Sequence, residues 1–151
     1  MKNSTQKTQK QEFTEGKFGW KFFDSISTGR YKITTASGDI GDNSDDAGAT
    51  KFWTDFVGPS SKITRIIYAD NGSGMDYETL LGSFTLGFDR PRATKQLGKF
   101  GVGGTMGCLN LASNKLTISR DKSGKILARS YDRLEVEQKN CWGTTAMIVT
   151  K

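Results

Sequence analysis

The sequence predicts an α+β domain: a two-layer α/β sandwich with a mixed, mostly antiparallel sheet. Three observations carry that expectation. Short β-prone runs come in pairs around turn sequences, with Gly58-Pro59-Ser60-Ser61 between residues 50–56 and 62–69, and Asp121-Lys122-Ser123-Gly124 between residues 115–120 and 125–131. A stretch with helical spacing of apolar residues, 31–48, precedes the first pair. The chain of 151 residues, 34% apolar and 25% charged, suits one domain with a modest core.

In chain order, residues 1–16 read as a polar mobile arm, with no core material in 1–12, ahead of a domain spanning 17–151. The run "KFGWKFF" (17–23) fits a first short strand or an anchoring segment. The helix over 31–48 follows, then the strands at 50–56 and 62–69. A short helix is expected over 76–81. Residues 82–104, rich in Gly, Arg and Lys, read as a long loop, and a helix over 103–112 comes after it. Strands at 115–120, 125–131 and 145–150 close the chain as an antiparallel meander. No internal repeat is visible.

Several function classes drop out on composition. No apolar run approaches the roughly 20 residues needed to span a bilayer, so no membrane association is expected. There is no histidine, and Cys108 and Cys141 match no metal-binding spacing, which argues against a zinc site and a disulfide framework. The polar N-terminus carries no apolar segment of a secretory signal, and a reducing, cytoplasmic location is expected. The net charge of +6 is unevenly spread: residues 33–60 hold one basic and five acidic side chains, and residues 90–151 hold twelve and four. An acidic middle suits a cation, and basic ends suit phosphate or nucleic acid; a solvated surface would look the same.

Three stretches carry candidate chemistry. In "SGDIGDNSDDAGA" (37–49), Asp39, Asn43 and Asp46 fall within about 60° of one another on a helical wheel, beside an apolar stripe of Ile33, Ala36, Ile40 and Ala47. A polar stripe bordering a buried face is where a pocket wall lies, although a solvated acidic edge has the same pattern. In "YADNGSGM" (68–75), a β-prone run stops on Asp70. Asp, Asn and Gly form turns. A carboxylate at a strand end can also accept from an exocyclic amine, with Gly72 and Gly74 letting backbone approach a flat ligand. In "QLGKFGVGGTMGCLNLAS" (96–113), five glycines precede and open an apolar helix, the makings of an anion cradle or of tight helix packing. That stretch is neither a Walker A loop nor a dinucleotide fingerprint. The acidic stretches are not EF-hands.

Taken in order, these pieces resemble the GHKL ATPases, the superfamily of gyrase B, the Hsp90 chaperones, histidine kinases, MutL and MORC proteins. The first box of that family is Glu-x-x-x-Asn-x-x-Asp-Ala, matched by Asp39, Asn43, Asp46 and Ala47. The second, Asp-x-Gly-x-Gly, is matched by Asp70, Gly72 and Gly74. A glycine-rich third box is matched by Gly98-Lys99-Phe100-Gly101-Val102-Gly103, and a late Gly-Thr by Gly143-Thr144. The resemblance covers about residues 30–150 and is closest in motif to MORC-like and MutL/Hsp90-like members.

The resemblance implies a Bergerat-type fold that binds ATP with Mg²⁺. It gives Asp70 the adenine amino group, with room left by Gly72 and Gly74 and Met75 packing on the base. Asn43 becomes the Mg²⁺ ligand. Asp46 and Thr144 shape the adenine end, and the backbone of Gly98 to Thr105, Gly104 included, holds the phosphates with Lys99 adding charge. A lid is implied at about 76–97. The general base is usually Glu; Asp39 stands there instead, its carboxylate withdrawn by one bond, about 1.5 Å, which implies slow hydrolysis. The implied function is a slow ATPase acting as a conformational or dimerisation switch, with itself or a partner protein, and with nucleic acid contacted through the basic ends. A stand-alone Ser/Thr protein kinase of the anti-sigma-factor type and a non-catalytic nucleotide- or nucleic-acid-binding module are the alternatives.

Overall fold

The computed structural model describes residues 19–27, 32–85 and 110–148. Its elements are α1 (Trp20–Ser27), α2 (Ile33–Asp46), β1 (Phe52–Val57), β2 (Arg65–Asp70), α3 (Tyr77–Gly82), β3 (Asn114–Arg120), β4 (Ile126–Asp132), α4 (Arg133–Lys139) and β5 (Thr145–Ile148). The architecture is α+β, as expected. The described strands form two ladders, β1–β2 and β3–β4–β5, and every described pairing is antiparallel.

Two elements differ from expectation. The segment that fitted a strand or an anchor at 17–23 is helical from Trp20. Trp20 and Asp24, one helical turn apart, share a face. Both meet Arg133: its guanidinium lies 5.7 Å from the Trp20 ring centroid and pairs with the Asp24 carboxylate. The helix α4 was not among the expected elements. Its start was marked, since Asp132 caps it by accepting from the Leu134 amide at 2.8 Å and the Glu135 amide at 3.4 Å, and Asp-x-x-Glu is a capping-box spacing. Asn140 ends it in the left-handed region at φ 45°. Of the helix expected over 103–112, only residues 110–112 are described, the first two of them helical, and most of the loop expected over 82–104 likewise lies outside the described residues.

The core forms where α3 and α4 meet one face of β4. Leu80 and Phe84 from α3 and the turn after it pack with Leu127 and Tyr131 of β4 and Val136 of α4, with Trp20, Met75 and Trp142 at the margin. Trp142 stacks on Tyr131 with centroids 5.1 Å apart and donates its indole N–H to the Phe84 carbonyl at 3.1 Å. The register sets Lys115, Thr117 and Ser119 of β3 beside Tyr131, Arg129 and Leu127 of β4, so these six share the helix-facing side of the sheet. The alternate residues Leu116 and Ile118 are 57% and 61% exposed on the other face.

The helix α2 packs against β2. Its Ser37 hydroxyl lies 2.7 Å from that of Tyr68, whose ring stacks on Phe52 of β1 at 6.0 Å. Ala36 and Ser44 are its buried residues; of the expected apolar stripe, Ile40 and Ala47 are half-buried and Ile33 is 45% exposed, so only part of it turns inward.

Candidate functional site

The end of α2 and the loop after β2 are built into one another. The Ser73 amide donates to the Ala47 carbonyl at 2.9 Å. A Cβ on Gly72 would sit 2.8 Å from Ala47 Cβ, closer than real atoms approach, so a glycine is needed there. Asn71 fastens the loop a second time: its Oδ1 accepts from the amides of Thr50 and Lys51 at 2.9 and 2.8 Å, and its amide nitrogen donates to Thr50 Oγ1 at 2.9 Å. The two stretches singled out in the sequence, 37–49 and 68–75, are therefore one rigid corner.

Asp70 is the carboxylate at that corner. Its Oδ1 accepts from the Gly72 amide at 2.8 Å, and the Ser44 hydroxyl donates to its Oδ2 at 3.3 Å. The Ser44 proton is shared with the Ile40 carbonyl at 3.1 Å. Each carboxylate oxygen has a second lone pair, so the group keeps capacity to accept from a ligand.

The loop then turns onto the second ladder. Gly74 has φ 69°, and a Cβ there would lie 1.8 Å from the Arg120 carbonyl oxygen, so backbone meets backbone with no space for a side chain. The Met75 amide donates to the buried Ser119 hydroxyl at 2.7 Å. Two residues on, Tyr77 begins α3 after Asp76, whose carboxylate caps the helix by accepting from Thr79 at 2.8 Å. On β4, the guanidinium of Arg129 lies 5.7 Å from the Tyr77 ring centroid and donates to the Thr144 hydroxyl at 2.6 Å.

On α2, Asp39 is half-buried, and Asn43, one turn later, and Asp46 are exposed. No cluster of three His, Cys, Asp or Glu side chains is arranged as a metal site among the described residues. The donor chemistry still suits Mg²⁺ delivered with a nucleotide: a hard ion that keeps waters and phosphate oxygens needs only one or two oxygen ligands from protein, and an exposed amide oxygen on Asn43 is one.

Residues 31–150 match the family model described as Histidine kinase-, DNA gyrase B-, and HSP90-like ATPase. The chain belongs to this family. No curated protein matches the chain. The family carries an ATP-binding fold, and the α+β architecture of the described residues is consistent with it. Of the boxes that carry the resemblance, the structure brings the first and second together; Thr144 accepts from Arg129, which lies against Tyr77, three residues after Gly74. The third box, Gly98 to Thr105, and the second half of the lid expected at 76–97 lie outside the described residues. Residues 77–82 within that lid form α3. No helix among the described residues is long and apolar enough to cross a membrane.

Four residues that shape the corner were not singled out in the sequence: Ser44, Asn71, Ser119 and Arg129. Ser44 could have been found, because it lies one turn after Ile40 at the edge of the apolar stripe. Ser119 and Arg129 carried no signal, since polar residues alternating with apolar ones in a strand point by default to solvent.

Proposed function

We propose that this chain is a Mg²⁺-dependent ATP-binding domain that hydrolyses ATP slowly and acts as a nucleotide-driven switch. The observation that carries the reading is the fixed Asp70 carboxylate, held by Ser44 and the Gly72 amide beside a loop docked on the end of α2. Asp70 accepts from the adenine amino group, Gly72 and Gly74 leave room for the base, and Met75 packs on it. Asp46, Ala47 and Thr144 complete the adenine end. Asn43 holds Mg²⁺, which neutralises phosphate charge when bound. Residues 98–105 cradle the phosphates, with Lys99 adding charge.

Asp39 orients and deprotonates the attacking water as general base. Its side chain is shorter than the family's usual Glu, and turnover falls below the ~1–10³ s⁻¹ of most enzymes. The Lys99-Phe100 pair in the third box favours a MORC-like or MutL/Hsp90-like relationship over the kinase branch. The partner is a second copy or another protein, with nucleic acid contacted through basic segments.

Single-turnover phosphate release and ATP-dependent thermal shift by wild type, Asp39→Asn, Asp39→Glu and Asp70→Asn test the reading. Asp39→Asn is expected to keep the thermal shift and lose turnover, and Asp39→Glu to keep both. Asp70→Asn is expected to lose most of the shift, because its amide can present a donor to the adenine amine. A shift unchanged in Asp70→Asn removes Asp70 from the site. Equal turnover in wild type and Asp39→Asn leaves a non-catalytic nucleotide switch.

A further inference from the structure

The chain contains one Asn-Gly pair, Asn71-Gly72. In this dipeptide an asparagine most readily loses ammonia, because glycine places no Cβ in the way of its own backbone nitrogen as that nitrogen reaches back for the preceding side chain. Asn71 is exposed to water. The loop around it both arms this reaction and restrains it.

The electrophile is armed. Asn71 Oδ1 accepts from the amides of Thr50 and Lys51 at 2.9 and 2.8 Å, which draws electrons from Cγ and is the arrangement that steadies an oxyanion. The nucleophile is restrained. The Gly72 N–H donates to Asp70 Oδ1 at 2.8 Å. Once that proton leaves, the reactive lone pair lies where the proton was, aimed at Asp70 rather than at Asn71 Cγ. Two negative charges then face each other at hydrogen-bond distance, so the carboxylate opposes the deprotonation itself. The neighbouring peptides are fixed as well: the Asn71 amide donates to the Lys51 carbonyl at 3.3 Å, and the Ser73 amide to the Ala47 carbonyl at 2.9 Å.

We propose that Asn71 is a latent deamidation site held in check by Asp70, so that opening of this loop leads to an irreversible change in its backbone; this stands whichever ligand the corner holds. In the open loop, hydroxide removes the Gly72 amide proton and the nitrogen attacks Asn71 Cγ. The Cγ–Nδ2 bond breaks and releases ammonia, which takes its third proton from water and returns hydroxide. The five-membered succinimide then adds water. Breaking its bond from nitrogen to Cγ gives aspartate, which keeps an acceptor for both amides. Breaking its bond from nitrogen to the main-chain carbonyl gives isoaspartate. That product lengthens the main chain by one bond, about 1.5 Å. The loop is packed at Gly72 against Ala47 and at Gly74 against the Arg120 carbonyl, with no space for a side chain at either. A longer chain cannot keep both contacts, and Asp70 loses the Gly72 amide that orients it.

The test is incubation of the intact chain in mildly alkaline buffer. Conversion at position 71 is followed by peptide mapping, and isoaspartate is counted by enzymatic carboxyl methylation. Folded wild type is expected to react about tenfold to a hundredfold more slowly than wild type in urea, because reaction is confined to the open fraction. Asp70→Ala, verified as folded by circular dichroism, is expected to recover most of that gap. Should it fail to fold, Asp70→Asn carries the same test with a smaller rise, since an acceptor stays and the charge goes. Thr50→Val frees the Asn71 side-chain nitrogen and leaves Asp70 in place, and is expected to change the rate by less than about threefold. Folded wild type that reacts as fast as the chain in urea overturns the proposal, as does the wild-type rate in a folded variant at Asp70. A rise in Thr50→Val equal to that in Asp70→Ala makes looseness of the loop the cause and overturns the role of Asp70.

Discussion

The Ser44 hydroxyl lies 3.3 Å from Oδ2 of Asp70, joining the buried side of α2 to the end of β2. A helix and a strand 26 residues apart in the chain are thus aligned at one carboxylate. Ser44→Ala leaves the fold in place, because alanine is a good helix former and the hydroxyl is bonded within its own helix turn as well. It removes one of the two groups orienting Asp70. The expected result is ATP affinity reduced about threefold to tenfold, the equivalent of one hydrogen bond at ~0.5–1.5 kcal/mol, measured by calorimetric titration. Unchanged affinity would mean that the Gly72 amide orients Asp70 unaided.

Gly74 and Gly38 are expected to respond to alanine in opposite directions. At Gly74 the backbone is in the left-handed region and the new Cβ would overlap the Arg120 carbonyl, so Gly74→Ala must push the loop off β3. The backbone strain alone costs about 1–3 kcal/mol, and the displaced contact adds to it. At Gly38, inside α2, nothing lies within 4 Å of the added Cβ. Gly38→Ala is expected to stabilise by roughly 0.8–1 kcal/mol through helix propensity. Urea unfolding of the two variants gives both values, and a destabilised Gly38→Ala would contradict the open space found there.

Asn71 holds the loop to the start of β1 through three hydrogen bonds. Asn71→Ala leaves two amides to find water, which the exposed setting permits. The expected loss is about 1–3 kcal/mol in urea unfolding. Asn71→Asp keeps the acceptor for both amides and should cost less. If both variants cost the same, the contribution lies in the Asn71 donor to Thr50 rather than in the acceptor.

The turn between β3 and β4 is organised by Asp121. Its Oδ1 accepts from the Ser123 hydroxyl at 2.6 Å and from the amides of Ser123 and Lys125, each at 2.9 Å. The Ser123 hydroxyl, foremost, and the two amides hold its carboxyl below the ordinary carboxylate value. A lowered pKa in the folded state means that the turn gains stability above the ordinary value and loses it as pH falls through the lowered one. Exchange of the Ser123 and Lys125 amides should therefore quicken as the solution is acidified into that range, beyond what intrinsic exchange chemistry accounts for. In Asp121→Asn, protection should be weaker at neutral pH and insensitive to acidification. Protection at these two amides that ignores pH in the wild type would exclude Asp121 as their organiser.

The elements legible in the sequence were those whose local signals agree with their surroundings. The helix α2 stands where its helical spacing put it, with Ala36 of the apolar stripe buried, and the turns at 58–61 and 121–124 join strands that pair across them, in the register Val57 with Arg65 and Arg120 with Ile126. The segment at 20–27 was ambiguous because aromatic residues suit strand and helix alike; what decides is Arg133, 109 residues from its partner Asp24. The strand β3 is the opposite case. Its apolar Leu116 and Ile118 are exposed while Ser119 is buried, because the loop at 74–75 needs a hydroxyl there. In the candidate site, Asp70 and the glycines were legible from type and spacing. Ser119 and Arg129 were not, because polar side chains serving a buried contact look like surface residues until their partners are known.

The pairing of Asp24 with Arg133 also bears on the order in which the molecule assembles. Residues 24 and 133 lie near opposite ends of the chain, and joining two points that far apart from an unfolded chain costs roughly 4 kcal/mol in loop entropy. A partly exposed ion pair returns at most about 1 kcal/mol. The helix α1, the first among the described residues, therefore has no reason to settle until β4 and α4 have formed. It waits for a segment 109 residues further along, so its docking is a late event rather than a seed for the rest.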